Sequence, residues 1–591
     1  MAGHDDNYGL TIPPQRPCNG DGPELRPRKL AEWLADLPLA NVSDSARRVQ
    51  DYLDRVNGCQ VPAGTRVKLL EAIAEPGRFL AAALNKTLAA RGLPLTERSL
   101  AAADQLTGLL TAQACGYKIV TAEILSGRAR YDRKLLSQAI HGAMDRLSRI
   151  LLVCYRLYTP PPRTLWLELN LLYYFATVHD AAGAIARGHD MTTACMYKAT
   201  VLLTMADPYR LRQGEADLLW NRLARWSEAV TLRPAETAVG LDSSSVFCHL
   251  NLDVPPGATV ANGARDLRYC RYVDLERLNP RLQQLIAGSE AAQTGEISHD
   301  LLQRVLSAWE RRAQRAYSRL PQATPIDLAI GLETAYHVMH GTDAGAAAGD
   351  ANGADHLPDP PALDPLIDTH TEFSIAPLPS QLAHYQKTWK GTVPSTIRTV
   401  GEHGRDDEPV ELLRNQRHIQ AWETVNVSAE GYCLTQHEPL ASTAQVGELV
   451  GLRETDREAG DWCLGVVRWL QCDRALGVKA GVQILAPVAE AVTARATRGR
   501  PDQRRPFKCL KLRPIAALSQ PPTLLIPATR HRAGDTLIVG DEENPGRVRL
   551  TRLVEGTGNF ARYQYEPVGD DVTPASLRES GSGDSRPDLR H

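Results

Sequence analysis

The sequence predicts an α+β multidomain protein, an all-α N-terminal helical array followed by a mainly antiparallel β region that carries a disordered insertion. Three observations predict it. From Leu30 to Leu232 apolar residues recur at helical spacing. Beyond Trp422 short runs rich in Val, Ile, Leu, Trp and Tyr are punctuated by Gly, Asp or Glu. Between them, Gly341 to Pro365 (GTDAGAAAGDANGADHLPDPPALDP) has almost no large apolar residue.

The helical elements come first. Leu30, Trp33, Leu34 and Leu37 follow the i, i+3, i+4, i+7 stripe of an amphipathic helix. Asn41 or Ser43 can cap the next one. Further helices are predicted over Ala63–Ala74, Arg98–Gln113, Lys134–Tyr155, Leu165–Arg187, Ala194–Thr204 and Gly214–Ala229, with Pro160–Pro162 breaking the array. Trp33, Trp166, Trp220 and Trp226 sit at core-facing positions. Ala206-Asp-Pro-Tyr-Arg-Leu-Arg reads as an interhelical turn in which Asp207 caps and Pro208 opens the following helix.

The texture then changes. Ser245–Asp253 alternates like a strand, His299–Tyr317 is helical, and Ile326–Leu332 is again strand-like. Strands are predicted at Trp422–Val427, Gly431–Leu434, Leu449–Arg453, Cys463–Trp469 and Gly481–Leu485. A second β-rich stretch holds Thr523–Ile526, Asp535–Val539, Arg547–Leu553 and Phe560–Tyr565, as a second barrel or an extension of the first. The resulting division is a disordered N-terminus (1–28), a helical domain (29–232) and a mixed connecting region (233–325). A barrel (326–490, interrupted over about 341–410), a second β subdomain (503–567) and a disordered tail (568–591) complete it.

Composition narrows the function. A chain of 591 residues calls for two to four domains, and a net charge of −2 provides no global field for nucleic acid or an anionic membrane. Any anionic ligand must therefore be met by local arginines. No apolar run is long enough to span a bilayer, and no secretory leader is visible at Met1. Eleven cysteines without a CxxC pair read as buried thiols in a reducing, cytoplasmic setting, with no metal site. His179-Asp180 and His189-Asp190 hint at HD phosphohydrolases, but two pairs ten residues apart do not place four ligands in that order, and surface or capping roles suffice. No P-loop, HExxH, GxSxG or dinucleotide fingerprint is present, so no catalytic residue, cofactor or enzyme activity is assigned.

The segment Ala421-Trp-Glu-Thr-Val-Asn-Val-Ser-Ala-Glu-Gly-Tyr-Cys-Leu carries the most information. A strand ending near Asn426, the Ser428 hydroxyl and the permissive Gly431 would make a tight turn presenting an amide, a hydroxyl and bare peptide groups. Such a turn can hydrogen-bond the edge of a flat base, and it can equally be an ordinary hairpin. The segment resembles the (Asp/Asn)-x-Ser-x-x-Gly motif of PilZ domains, here Asn426, Ser428 and Gly431. Trp462-Cys-Leu-Gly-Val-Val-Arg-Trp and Gly481-Val-Gln-Ile-Leu are similar to the later strands of that barrel.

The resemblance implies a PilZ-like β-barrel and cyclic di-GMP as ligand. It also implies an Arg-x-x-x-Arg motif ahead of the barrel, because guanidiniums pair with phosphates and the guanine edge. Arg414 and Arg417 lie near the turn at the wrong spacing. Arg311-x-x-x-Arg315 and Arg315-x-x-x-Arg319 fit better and precede Ile326–Leu332, although these arginines can also form a solvated helix face. This reading requires a split barrel, with the loop from about His340 to Gln416 inserted between its first strand and the Asn426 turn. The site is then Arg315, Arg319, Asn426, Ser428 and Gly431, with Arg311, Arg414 and Arg417 as weaker candidates. The function implied is a cyclic di-GMP effector whose helical region meets an unidentified protein partner. The alternative is a degenerate PilZ-like scaffold that binds no nucleotide.

Overall fold

Eight helices, most of them started by a side-chain cap or a left-handed residue, build the N-terminal half. The computed structural model describes residues 7–18, 23–89, 96–185, 190–237, 245–257, 267–287, 297–310, 319–346, 419–428, 430–437, 442–455, 462–473, 475–498, 504–514, 521–528, 531–540 and 545–568. The helices are α1 (Pro27–Ala35), α2 (Val42–Asn57), α3 (Ala63–Ala89), α4 (Glu97–Leu125), α5 (Arg133–Arg156), α6 (Leu165–Val178), α7 (Thr193–Met205) and α8 (Glu215–Trp226). Asn41 does cap α2, accepting from the Asp44 amide at 3.2 Å.

Two helices outrun the sequence pattern. α3 continues through Pro76 to Ala89 because Leu80, Leu84 and Leu88 are buried. Three such leucines, each contributing ~1.5–3 kcal/mol on burial, outweigh the ~3 kcal/mol of an interior proline. α4 likewise reaches Leu125, well past Gln113. α6 stops short of Arg187, at Val178, because Asp180 takes a left-handed φ of 51° and Ala181 N–H returns to Ala176 O at 2.7 Å.

Of the stretch 1–28 expected to be disordered, the described residues 7–18 are instead anchored, and residues 1–6 and 19–22 lie outside the described residues. Leu10 is 2% exposed, Thr11 N–H donates to Glu168 Oε1 at 2.7 Å, and Arg16 pairs with Cys59 as a parallel bridge. Glu168 also pairs with buried Lys118 at 2.8 Å, so a polar-looking leader is anchored by an interior ion pair.

Next comes a small sheet, β1 (Thr231–Pro234), β2 (Phe247–His249) and β3 (Cys270–Asp274), in the order β1-β3-β2. Only three residues of Ser245–Asp253 are strand, since Asp253 turns back to accept from Thr164 and Leu167 amides and caps α6. α9 (Asn279–Ala287) and α10 (His299–Glu310) follow. Trp309 on α10 is buried in the helical core and donates to Leu202 O at 3.1 Å, so this connecting region packs with the helices.

The first barrel is split in sequence. Its elements are β4 (Leu320–Pro321), β5 (Pro325–Ile330), α11 (Leu332–Ala346), β6 (Ile419–Ser428), β7 (Gly431–Gln436), β8 (Leu449–Glu454), β9 (Cys463–Asp473) and β10 (Gly477–Ala486). β5 lies antiparallel to β6 with Ile326 opposite Trp422, the pairing that the split barrel requires. The sheet runs β4-β6-β5-β8-β9-β10-β7 and closes through β6–β7. Ile326, Leu328, Trp422, Leu434, Leu452 and Val482 fill its interior. The strand ends at Ile330 rather than Leu332, because Gly331 (φ 94°) turns the chain into α11. α11 is a second correction: residues 341–346, read as the start of the insertion, continue this helix. The remainder of the insertion and the tail beyond 568 lie outside the described residues.

The second β region is a separate closed barrel. β11 (Glu490–Ala496), β12 (Phe507–Leu512), β13 (Thr523–Pro527), β14 (Thr536–Val539), β15 (Gly546–Gly556) and β16 (Phe560–Pro567) close in the order β11-β12-β13-β16-β15-β14. It begins at Glu490, earlier than the boundary at 503, since β11 pairs with both β12 and β14. Between the barrels, Tyr336 and Met339 of α11 join Leu449, Leu464, Leu510 and Phe560 in one apolar core.

The helical half meets the first barrel at Tyr158. Its side chain enters the barrel core, its carbonyl accepts from Cys472 N–H of β9 at 2.7 Å, and its hydroxyl donates to Leu211 O at 2.8 Å.

Candidate functional site

A cleft of about 680 Å³ opens where that docking occurs. From the barrel it is lined by Arg319, Asn426, Ser428, Gly431, Arg468 and Trp469 among others, and from the helical half by Asp207, Tyr209 and Arg210. The structure thus brings together four of the five residues singled out by sequence. Arg319 comes from just ahead of β4, and the other three from β6 and β7, joined across the split because β4 and β5 both pair along one edge of β6. Arg311, Arg315, Arg414 and Arg417 lie outside the described residues.

Local geometry revises how the turn works. β6 does not end at Asn426 but runs on to Ser428, with a bulge between Thr424 and Asn426 that re-aims the strand end. Ser428 Oγ donates to Gly431 O at 3.2 Å and closes the turn. Gly431 does not adopt a left-handed backbone. It is needed because a Cβ there would stand 1.9 Å from Val482 O on β10. Gly481, on the same strand, leaves room for an indole: a Cβ would fall 1.8 Å from Trp469 Nε1. Gly431 thus lets β7 approach β10 closely, and Gly481 lets the Trp469 indole lie against the sheet.

The electrostatics are local, as the near-zero net charge demands. Three guanidiniums (Arg210, Arg319, Arg468) face two carboxylates (Asp207, Glu430) around the cleft. Arg468 is held in place: its Nε donates to Gln483 Oε1 at 2.8 Å and its terminal nitrogens engage both oxygens of Glu555 on the second barrel. Burial pushes the Cys433 thiol up, while the charges of Arg319 and Lys479 beside it act in the opposite sense. Cys433 thus presents a buried thiol in the wall of the cleft.

The helical contribution was not anticipated. Asp207 does not cap: it has a left-handed φ of 55° and makes no capping bond, pairing instead with Arg210 at 3.7 Å. Tyr209 fixes this 3₁₀ turn by donating to Thr159 O at 3.2 Å. Arg468 and Trp469 were legible only as strand residues, and the one hint was their placement side by side, a cation next to an aromatic.

Arginines, an aromatic face, an amide and a hydroxyl around an open cleft suit a flat, hydrogen-bonding, anionic ligand. Among the described residues no group of three or more His, Cys, Asp or Glu could hold a metal ion. His179 lies tilted against the Tyr131 ring and Asp180 pairs with Arg133, while His189 lies outside the described residues. No helix among the described residues is long and apolar enough to cross a membrane.

Comparison with known proteins follows the same three-part division. Residues 28–236 match the family model of the N-terminal domain of the cyclic-di-GMP receptor FimW. Residues 247–491 match its middle PilZ domain and residues 492–568 its C-terminal beta-barrel domain. The cyclic-di-GMP receptor FimW of Pseudomonas aeruginosa is 25% identical, over 97% of this chain and 96% of that protein. No solved structure matches. With the split barrel, the Asn426–Gly431 turn and these matches in hand, the chain carries a PilZ domain over residues 247–491, set between a helical domain and a second barrel.

Proposed function

We propose that this protein is a non-catalytic, cytoplasmic cyclic di-GMP effector that binds the nucleotide in the cleft and uses its helical domain as the output surface for a protein partner. One observation carries the reading. Arg319, Asn426, Ser428 and Gly431, chosen from sequence for this chemistry, line a single cleft although more than a hundred residues separate the first from the rest. The relative's description as a cyclic-di-GMP receptor supports it.

In this reading Arg319, with Arg315 upstream, pairs with phosphate and guanine, while Asn426, Ser428 and the Gly431 peptide take the edge of the second base. Trp469 offers a stacking face, worth ~1–3 kcal/mol per base in comparable sites. No cofactor is required. The functional division is a helical output domain (29–232) with its connecting region, the sensing barrel (326–490), and a supporting second barrel.

The scaffold alternative draws on one feature, the carboxylates of Asp207 and Glu430, which oppose an anion. Calorimetric titration of the full chain with cyclic di-GMP separates the two. We expect saturable binding, absent with GMP at the same concentration. No heat with tens of micromolar ligand, a free energy weaker than roughly −6 to −7 kcal/mol, would leave the scaffold.

A further inference from the structure

Resting on the nucleotide reading above, we infer that the helical domain supplies half of the binding site: Arg210, on the 3₁₀ turn Pro208–Arg210, is a ligand-binding arginine that clamps the nucleotide phosphate against the barrel.

The turn is an unusual place for an ordinary connector. Asp207 holds a left-handed φ of 55° without being glycine, a costly conformation that persists only where its surroundings impose it. Those surroundings are the helical core and the barrel together. Pro208 is buried, the Tyr209 ring packs edge-on to Tyr155 of α5 at 6.0 Å and also lies against the barrel core, and the adjoining Tyr158 carbonyl is bonded into β9. The turn is therefore fixed on β9, the strand that also carries Arg468 and Trp469. Asp207 and Arg210, by contrast, are half exposed at the cleft, their side chains 48% and 52% accessible and joined by a long 3.7 Å contact.

Such an exposed ion pair contributes little to stability and holds its arginine loosely. An arginine that folding hardly uses, lining a cleft that Arg319 also lines from the barrel side, is available to a ligand with two anionic groups. Arg468 is less available, being already engaged by Gln483 and Glu555. A dianionic dinucleotide would then be gripped by one guanidinium from each domain. Occupancy would cross-link barrel and helical domain, passing ligand binding to the output surface without any new hinge.

The segment after the turn reaches further. Arg212 pairs with Asp300 at 3.0 Å and lies against Gly447, where an added Cβ would come within 3.2 Å of Arg212 Nε and 3.1 Å of Thr557 on the second barrel. Residues 207–212 thus run from the cleft to the point where all three domains meet.

The test is cyclic di-GMP titration of the full-length wild type, Arg210→Ala, Arg210→Glu, Asp207→Asn and Arg319→Ala, with the ligand-free melting point of each recorded. We expect Arg210→Ala to weaken binding ~10-fold or more and Arg210→Glu to weaken it further, as a charge-assisted contact is removed and then reversed. Asp207→Asn should bind as tightly as wild type or tighter, and the ligand-free melting points of the Arg210 variants should match wild type. Arg210 variants that bind like wild type while Arg319→Ala loses binding would overturn the clamp and leave the cleft reading standing. A wild type that does not bind overturns both.

Discussion

The two barrels of this protein each close a ring of six antiparallel strands, the first with the short β4 added along β6, yet they tolerate their glycines differently. In the first, a Cβ at Gly431 or Gly477 would sit 1.9 Å from a backbone carbonyl, and one at Gly481 would sit 1.8 Å from an indole nitrogen. In the second, Gly534 and Gly558 face open space, and Gly546 and Gly556 have nothing nearer than 3.6 Å. One barrel is drawn tight at one side, with a bulge, an indole against the sheet and polar groups at its mouth. The other is closed by apolar packing of Leu524, Leu537, Leu550 and Ile526. Close approach is what shapes a cleft, and the second barrel supports it from behind through Glu555 on Arg468.

The largest expected effect lies on the seam. Phe560→Ala should destabilise both barrels together by ~3–5 kcal/mol, since this fully buried ring belongs to the core they share. Chemical denaturation should show one cooperative loss, and two separated transitions would make the barrels independent. Next, Gly431→Ala should cost about 1–3 kcal/mol or more, whereas Gly546→Ala should stay within about 0.5 kcal/mol. Equal costs at the two sites would break the comparison. Glu555→Gln should then cost about 1–2 kcal/mol, as a charge-assisted pair to Arg468 is weakened, and should loosen nucleotide binding with it.

The smallest effect is a slope with pH. Burial at the junction raises the Glu448 carboxyl from 4.5 to about 7, where its Oε2 accepts from Asn559 at 2.6 Å. The folded state thus holds this proton more tightly than the unfolded chain does. The stability it contributes is complete below about pH 4.5 and is lost as pH rises to about 7. Glu448→Gln should flatten that decline in melting point across the same window. An unchanged pH profile would remove Glu448 as its source.

Much of this arrangement was legible before the structure, for identifiable reasons. β5 and β6 could be paired across the insertion because Ile326–Leu332 and Trp422–Val427 each alternate and neither makes a stable sheet alone. Asn426, Ser428 and Gly431 were legible as a motif, although Gly431 is required for close approach and not for its φ. The N-terminal leader was misread because Pro, Gly and Asp dominate it, while what anchors it is Glu168, far away in sequence. α11 was partly hidden by the Gly and Ala at its end, its helical character resting on Tyr336 and Met339 packed between the barrels. From sequence Asp207 reads as a cap and Pro208 as the start of the following helix, with Arg210 beside them. The place of Asp207 and Arg210 at the cleft is a tertiary fact, set by the docking of Tyr158 on β9.

The central claim, that nucleotide binds at the seam between the helical domain and the first barrel, is tested most directly by hydrogen exchange on the full chain with and without cyclic di-GMP. The account expects ligand-dependent protection in two places at once: peptides spanning 205–212 of the helical side, and peptides spanning 425–433 and 466–483 of the barrel. Protection of the barrel peptides alone would confine the site to the barrel and remove the clamp. No change in either set at saturating ligand would contradict the claim.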